Sequence, residues 1–313
     1  MMKKIALVAA LAAIAAPAFA QSSVTLYGRV NTTVESQKVD NQGRKVVVAN
    51  NSSRIGFKGV EDLGGGLKAS FDLEHGFNSD NGAATGGTAA FWGREASVQI
   101  AGAFGAVRLG RWTPGSYYAT ADYVSMHNHD TGSSSDALYG GPFPTANKVG
   151  YFYSAGGFST ELAVAAGEGA PGVKRAFDGS VNYDQGPLHL GAGYTKQDKQ
   201  SQYAARALYE LGAITLGGYV QRETNDAAVK KSRNIWRLAG MYTLGASEFH
   251  ANFGGTQAGA NQANKANQWT LGYNYNLSKR TKVYGYYTAI DTKNTLNNAG
   301  DFSSFAAGIR HNF

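Results

Sequence analysis

The stretch WTLGYNYNL, residues 269–277, alternates with a period of two. Trp269, Leu271, Tyr273, Tyr275 and Leu277 fall on one face, and Thr270, Gly272, Asn274 and Asn276 on the other. Successive side chains of a β-strand point to opposite sides, so this pattern specifies a strand with one apolar and one polar surface. The pattern recurs in residues 67–74, where Leu67, Ala69, Phe71 and Leu73 oppose Lys68, Ser70, Asp72 and Glu74. It recurs again in residues 248–253, where Phe249, Ala251 and Phe253 oppose Glu248, His250 and Asn252.

A soluble β-sandwich would also alternate. Here the polar face carries charges and amides at mid-strand, as residues lining a wet lumen would. The apolar face gathers Tyr, Trp and Phe near strand ends, as girdles at a membrane interface would. The connections also come in two kinds. Tight turns are expected at 61–66, 102–105, 155–157, 184–187, Gly212, Gly245 and 278–279. Longer loops are expected at 37–44, 78–90, 113–147, 169–173, 198–201, 225–231, 258–267 and 292–301. Seven turns and eight loops join sixteen strands, with turns at one end and loops at the other. The expected fold is therefore all-β, a 16-stranded antiparallel transmembrane β-barrel, wide enough to leave an aqueous channel. The last strand, ending at Phe313, would place Phe305, Ala307, Ile309, His311 and Phe313 towards lipid and pair with the first strand, leaving no edge.

Composition agrees. The chain has 41 glycines, 18 tyrosines and 15 phenylalanines but only six prolines, a balance that suits strands and turns. It contains no cysteine, which excludes disulfides and thiolate metal sites. Residues 1–20 read as a signal peptide: Lys3 and Lys4, an apolar run from Ile5 to Ala16, and Ala18-Phe19-Ala20 as the cleavage site. Residues 21–313 would then form the barrel, exported through the periplasm to the cell outer membrane. Removing Lys3 and Lys4 lowers the formal charge from +7 to +5.

One connection stands apart. Residues 113–147, TPGSYYATADYVSMHNHDTGSSSDALYGGPFPTAN, hold no Lys, Arg or Glu, and contain Asp122, Asp130, Asp136, His127 and His129. Loops of this length are uncommon within a domain and are usually functional.

The stretch SSVTLYGRV near the N-terminus, SRIGFKG at 53–59 with the following EDLGGGLKASFDLE, and the ending GIRHNF resemble the trimeric general porins of Gram-negative bacteria, of the β-proteobacterial type. The resemblance spans the chain from residue 21 onward. It implies a water-filled channel for passive diffusion of small hydrophilic solutes, a homotrimer in outer-membrane lipid and lipopolysaccharide, and no enzymatic step, cofactor, metal or nucleic-acid partner. It also implies that the third loop, 113–147, folds inward as a constriction loop. Its acidic residues, Asp122, Asp130 and Asp136, would face basic residues on the wall.

The basic positions implied by the resemblance are Arg29 after LYG, Arg54 and Lys58 in SRIGFKG, Arg94 in FWGREASVQI, and Lys148 in NKVGYFY. Arg54 and Lys58 lie four apart on a strand and so share a face. Strict alternation puts Arg94 with Ala96, Val98 and Ile100 on the lipid side. Either a bulge re-aims it, which is preferred, or it snorkels at the membrane surface. By parity Arg108 faces the lumen. Opposed charges across a narrow passage filter ions by sign. Bases outnumber acids here, so weak to moderate anion preference is expected. A substrate-preferring anion or nutrient porin is the nearby alternative; a barrel adhesin or hydrolase is the alternative of another class. The HNHD sequence at 127–130 could bind a metal or titrate, but solvated loop histidines are the plainer reading.

Overall fold

The computed structural model describes residues 23–40, 42–85, 90–124, 136–169, 174–225, 232–257, 265–292 and 301–313. Residues 1–20, Asp130 and the two loop histidines lie outside them. In chain order the strands are β1 (Ser23–Val39), β2 (Lys45–Asn50), β3 (Arg54–Gly64), β4 (Leu67–Gly76), β5 (Glu95–Gly102), β6 (Gly105–Arg111), β7 (Lys148–Ala155), β8 (Phe158–Ala165) and β9 (Ala176–Gln185). They continue as β10 (Leu188–Gln197), β11 (Gln200–Leu211), β12 (Ile214–Thr224), β13 (Ser232–Leu244), β14 (Ser247–Thr256), β15 (Ala266–Asn276), β16 (Thr281–Thr292) and β17 (Phe302–Asn312).

Each strand pairs antiparallel with its neighbours, and β17 pairs with β1 to close the sheet. At the seam Gly28 and Phe313 exchange both backbone hydrogen bonds, at 3.0 and 3.1 Å. Both β2 and β3 pair with β1, the first with Thr32–Gln37 and the second with Ser23–Arg29. They are thus two parts of one wall strand, and the barrel has sixteen. The break at 51–53 is a feature that alternation does not announce. Ser52 adopts φ +58° there, Asn51 N–H donates to Asn31 O at 2.8 Å, and the Ser53 hydroxyl accepts Asn31 N–H at 3.0 Å. Side chains and re-routed backbone bonds therefore satisfy the groups that the ladder leaves.

The two faces follow the alternation. Leu271, Tyr273 and Tyr275 are exposed outward while Thr270 and Asn274 are buried inward, and Phe249 and Phe253 flank inward His250. Outward aromatics form two bands. Near the turn end Phe158 meets Tyr183 at 4.6 Å between ring centroids and Phe249 meets Tyr273 at 5.1 Å. Near the loop end Trp236 meets Phe253 at 5.3 Å and Trp269 meets Tyr287 at 5.1 Å. Leu162, Val181, Leu216, Leu238 and Leu271 occupy the belt between.

Among the described residues one connection differs in kind from expectation. The loop expected at 198–201 is a two-residue turn, Asp198-Lys199, between β10 and β11. Asp198 adopts φ +53°, a left-handed conformation that Asp tolerates, so the hairpin closes without glycine.

Leu271 sits at the middle of β15 on the outward face. Leu271→Arg is expected to lower refolding stability in lipid by roughly 2–4 kcal/mol. Ser70→Arg, inward and beside Asp72, is expected to stay within about 0.5 kcal/mol. Equal losses in a denaturant titration in vesicles would contradict the assignment of faces.

Candidate functional site

The described parts of the third loop, 113–124 and 136–147, are held against the inward face of the wall. The first part begins with a helical turn, Gly115–Tyr117, continued by a π-helical turn, Tyr118–Asp122. Ser116 is the anchor. Its N–H and hydroxyl donate to the buried Asp178 carboxylate at 3.2 and 2.5 Å, and its hydroxyl lies 2.7 Å from that of Thr195. Close approach is possible because β10 presents Gly191 and Gly193. A Cβ on Gly191 would stand 2.3 Å from Ala119 O, and one on Gly193 would stand 2.7 Å from the Ser116 backbone. Arg206 on β11 donates to Ala119 O at 2.6 Å and stacks over the Tyr123 ring.

The second part is anchored by Asp136. Its carboxylate accepts two bonds from Arg237, at 2.7 and 3.0 Å, and one from the Tyr219 hydroxyl at 2.5 Å. The Leu138 and Tyr139 N–H groups also donate to it. Around this pair Ala121, Val124 and Leu138 of the loop pack on Tyr219, Ile235, Ala239 and Ala266 of the wall. Inward apolar residues such as Ile235 break the polar-inside pattern because the loop covers them. Burial alone would raise the Asp136 carboxyl; the Arg237 charge and its hydrogen bonds outweigh it and hold the group below its ordinary value.

A cavity of about 500 Å³ lies between loop and wall. Arg54 and Arg94 line it from the wall; Asp122, Asp136, Tyr117, Tyr118 and Tyr139 line it from the loop. Burial pushes the Tyr118 and Tyr139 phenols up, so both stay neutral at neutral pH. Arg54 and Arg94 are gathered by one carboxylate, Glu74, at 3.9 and 2.5 Å.

Arg94 reaches the cavity by neither a bulge nor snorkelling. The strand β5 begins at Glu95, so alternation does not extend to position 94, and its side chain turns inward to Glu74. Arg29 faces inward but lies under the break in the wall strand, donating to Ser52 O at 3.3 Å from two nitrogens. Lys148 also faces inward and is buried. Its ammonium sits 4.3 Å over the Trp112 ring and 3.6 Å from Glu161, so it does not line the cavity as the sequence reading expected. Lys58 is on the inward face nearer the turn end, 5.3 Å from the Tyr27 ring. Arg108 faces inward as parity indicated, bonded to Glu95 at 2.5 Å and to Ser97 at 2.8 Å. Glu74, Arg237 and Asp178 were not singled out in the sequence. Parity could have found Arg237, which shares a face with Arg233 in the alternating run on β13.

Asp136→Asn leaves Arg237 buried without its counter-charge, which is expected to cost about 3–5 kcal/mol of loop docking. Single-channel current is expected to rise and become noisy, and Asp136→Asn/Arg237→Gln is expected to recover part of the parent behaviour. The depressed carboxyl works in the same direction with pH. Docking strength is full above the ordinary value of 3.8 and is lost as pH falls through the lower docked value. Conductance noise from this anchor is therefore expected only below pH 3.8, and its appearance at neutral pH would count against the ion pair.

The model of the Gram-negative porin family matches residues 6–295. The outer membrane porin protein 32 of Delftia acidovorans is 33% identical over 93% of this chain and 90% of its own length. An outer membrane porin of Bordetella pertussis is 28% identical over the whole of both chains. Among solved structures, an anion-selective porin from Comamonas acidovorans superposes with a TM-score of 0.77 at 27% identity, covering 94% of this chain and all of that one. With a closed sixteen-stranded barrel of matching fold, the chain belongs to the Gram-negative porin family and forms an outer-membrane channel for passive diffusion.

Proposed function

We propose that the passage between the third loop and the wall is the constriction of this channel, and that it favours anions. The observation that carries the reading is the charge balance at the cavity. Arg54 and Arg94 line one side, while the loop acid Asp136 is already matched by Arg237. Along the neighbouring wall Arg29, Arg54, Lys58, Arg94 and Arg108 stand against Asp72, Glu74 and Glu95, and with Asp122 of the loop counted the balance is five positive charges to four negative. In a low-dielectric frame such an excess raises the local concentration of anions and lowers that of cations. The relative described as anion-selective is consistent with it.

The solutes are small hydrophilic molecules and anions, and no chemical step is involved. Relatives are porins, not adhesins or hydrolases. A homotrimer embedded in outer-membrane lipid and lipopolysaccharide is the assembly we propose on family membership. Residues 1–20 would direct export and be removed.

A unit charge roughly 8 Å from a permeating ion in water is worth about 0.5 kcal/mol. Arg54→Gln/Arg94→Gln removes two such charges, which act with opposite sign on chloride and potassium, and is therefore expected to lower the chloride-to-potassium permeability ratio by up to roughly thirtyfold at low salt. The ratio is read from zero-current potentials across planar bilayers. A parent channel that prefers potassium, or a variant with an unchanged ratio, would overturn the reading.

A further inference from the structure

A second concentration of positive charge lies away from the constriction, at the turn end of the barrel. The tight turn after β15 reads SKRTK, residues 278–282, and it faces the end of β17. Lys282 and Arg310 are directly opposite one another in the β16–β17 ladder. Both share the inward face, since Tyr284 and Tyr286 on one strand and Ser304 and Ala306 on the other are the buried residues of the same parity. Like charges opposed across a ladder destabilise it.

Lys279 and Arg280 extend the cluster. Together with Lys282 and Arg310 they line an open cavity of about 640 Å³. Among the described residues the Lys279 and Arg280 side chains make no hydrogen bond or ion pair. One carboxylate, Glu248, also lines the cavity. Its oxygens are already engaged by Asn274 at 2.8 Å, Asn276 at 2.6 Å and Lys282 at 3.2 Å, with the His250 ring at 3.5 Å. Four cations thus meet one carboxylate whose acceptor sites are largely used. None of the four lines the cavity of Arg54 and Arg94.

We propose that this mouth is a binding site for small oxyanions of the phosphate class, held between the 278–282 turn and Arg310. Guanidinium groups present paired donors that match the oxygens of a tetrahedral oxyanion, and ammonium groups add charge without restricting geometry. The ligand adds negative charge to a cavity whose lining is predominantly cationic and concentrates anions at the turn-side entrance. The site is separate from the constriction and does not depend on the ion preference there.

The test is calorimetric titration of inorganic phosphate into the full-length protein in detergent at low salt, which reads binding without current. The unmodified protein is expected to bind phosphate with heat that disappears as sodium chloride is raised. Lys279→Gln/Arg280→Gln, exposed and outside the strand ladder, is expected to weaken binding at least about fivefold, and addition of Arg310→Gln to remove it. Arg54→Gln is expected to leave it unchanged within about twofold, because that residue lines the other cavity. Circular dichroism confirms that each variant remains a barrel, and the turn variant decides the matter if the Arg310 variant does not fold. Absence of binding by the unmodified protein overturns the proposal. So does equal binding by the turn variant, or loss on Arg54→Gln instead.

Discussion

The hydrocarbon interior of a membrane offers no partner for a backbone N–H or C=O, and the architecture of the wall follows from that constraint. A sheet can satisfy it only by closing on itself. Closure places Phe313 against Gly28, and no strand is left with an open edge. Once the wall is closed, each strand has one side in lipid and one in water. The period-two pattern is the sequence's record of that division. The break at 51–53 obeys the same rule. Where β2 and β3 lose ladder bonds, Asn51, Ser53 and the Arg29 guanidinium supply replacements.

The loop needs a different solution, because its backbone enters the lumen without a ladder. It is fixed through side chains at two points: Ser116 on Asp178 and Thr195, and Asp136 on Arg237 and Tyr219. A buried charge is tolerable only with a matched partner. The arginines of β11 and β13 therefore belong to the docking of the loop, and those at 54 and 94 to the passage beside it. Asp136 consequently counts towards stability and hardly towards the field that a solute meets.

Strand existence, strand number and the sidedness of residues such as Leu271 and Asn274 were legible in the sequence, because lipid and water impose opposite chemistry at successive positions. That residues 113–147 join the fifth and sixth wall strands was legible too. The fate of each charge was not. Lys148 and Arg54 both read as inward bases, yet one is covered by Trp112 and bonded to Glu161 while the other borders the cavity. Which inward base stays wet depends on where the loop lies, and that is settled by contacts between residues far apart in the chain, such as Ser116 with Asp178. Alternation also misplaced Arg94, since the rule ends where the strand does.

The docking of the loop against β10 is the geometry on which the constriction depends. The chain has no native cysteine, so a pair introduced as Ser116→Cys and Thr195→Cys reports on this contact alone. The two hydroxyls are 2.7 Å apart, within reach of a disulfide after small adjustment. If the loop lies where the structure places it, the pair oxidises in the folded barrel, both thiols become unreactive, and single-channel conductance keeps its parent value. Two thiols that stay freely reactive towards a water-soluble reagent, in a barrel that still conducts, would contradict inward docking.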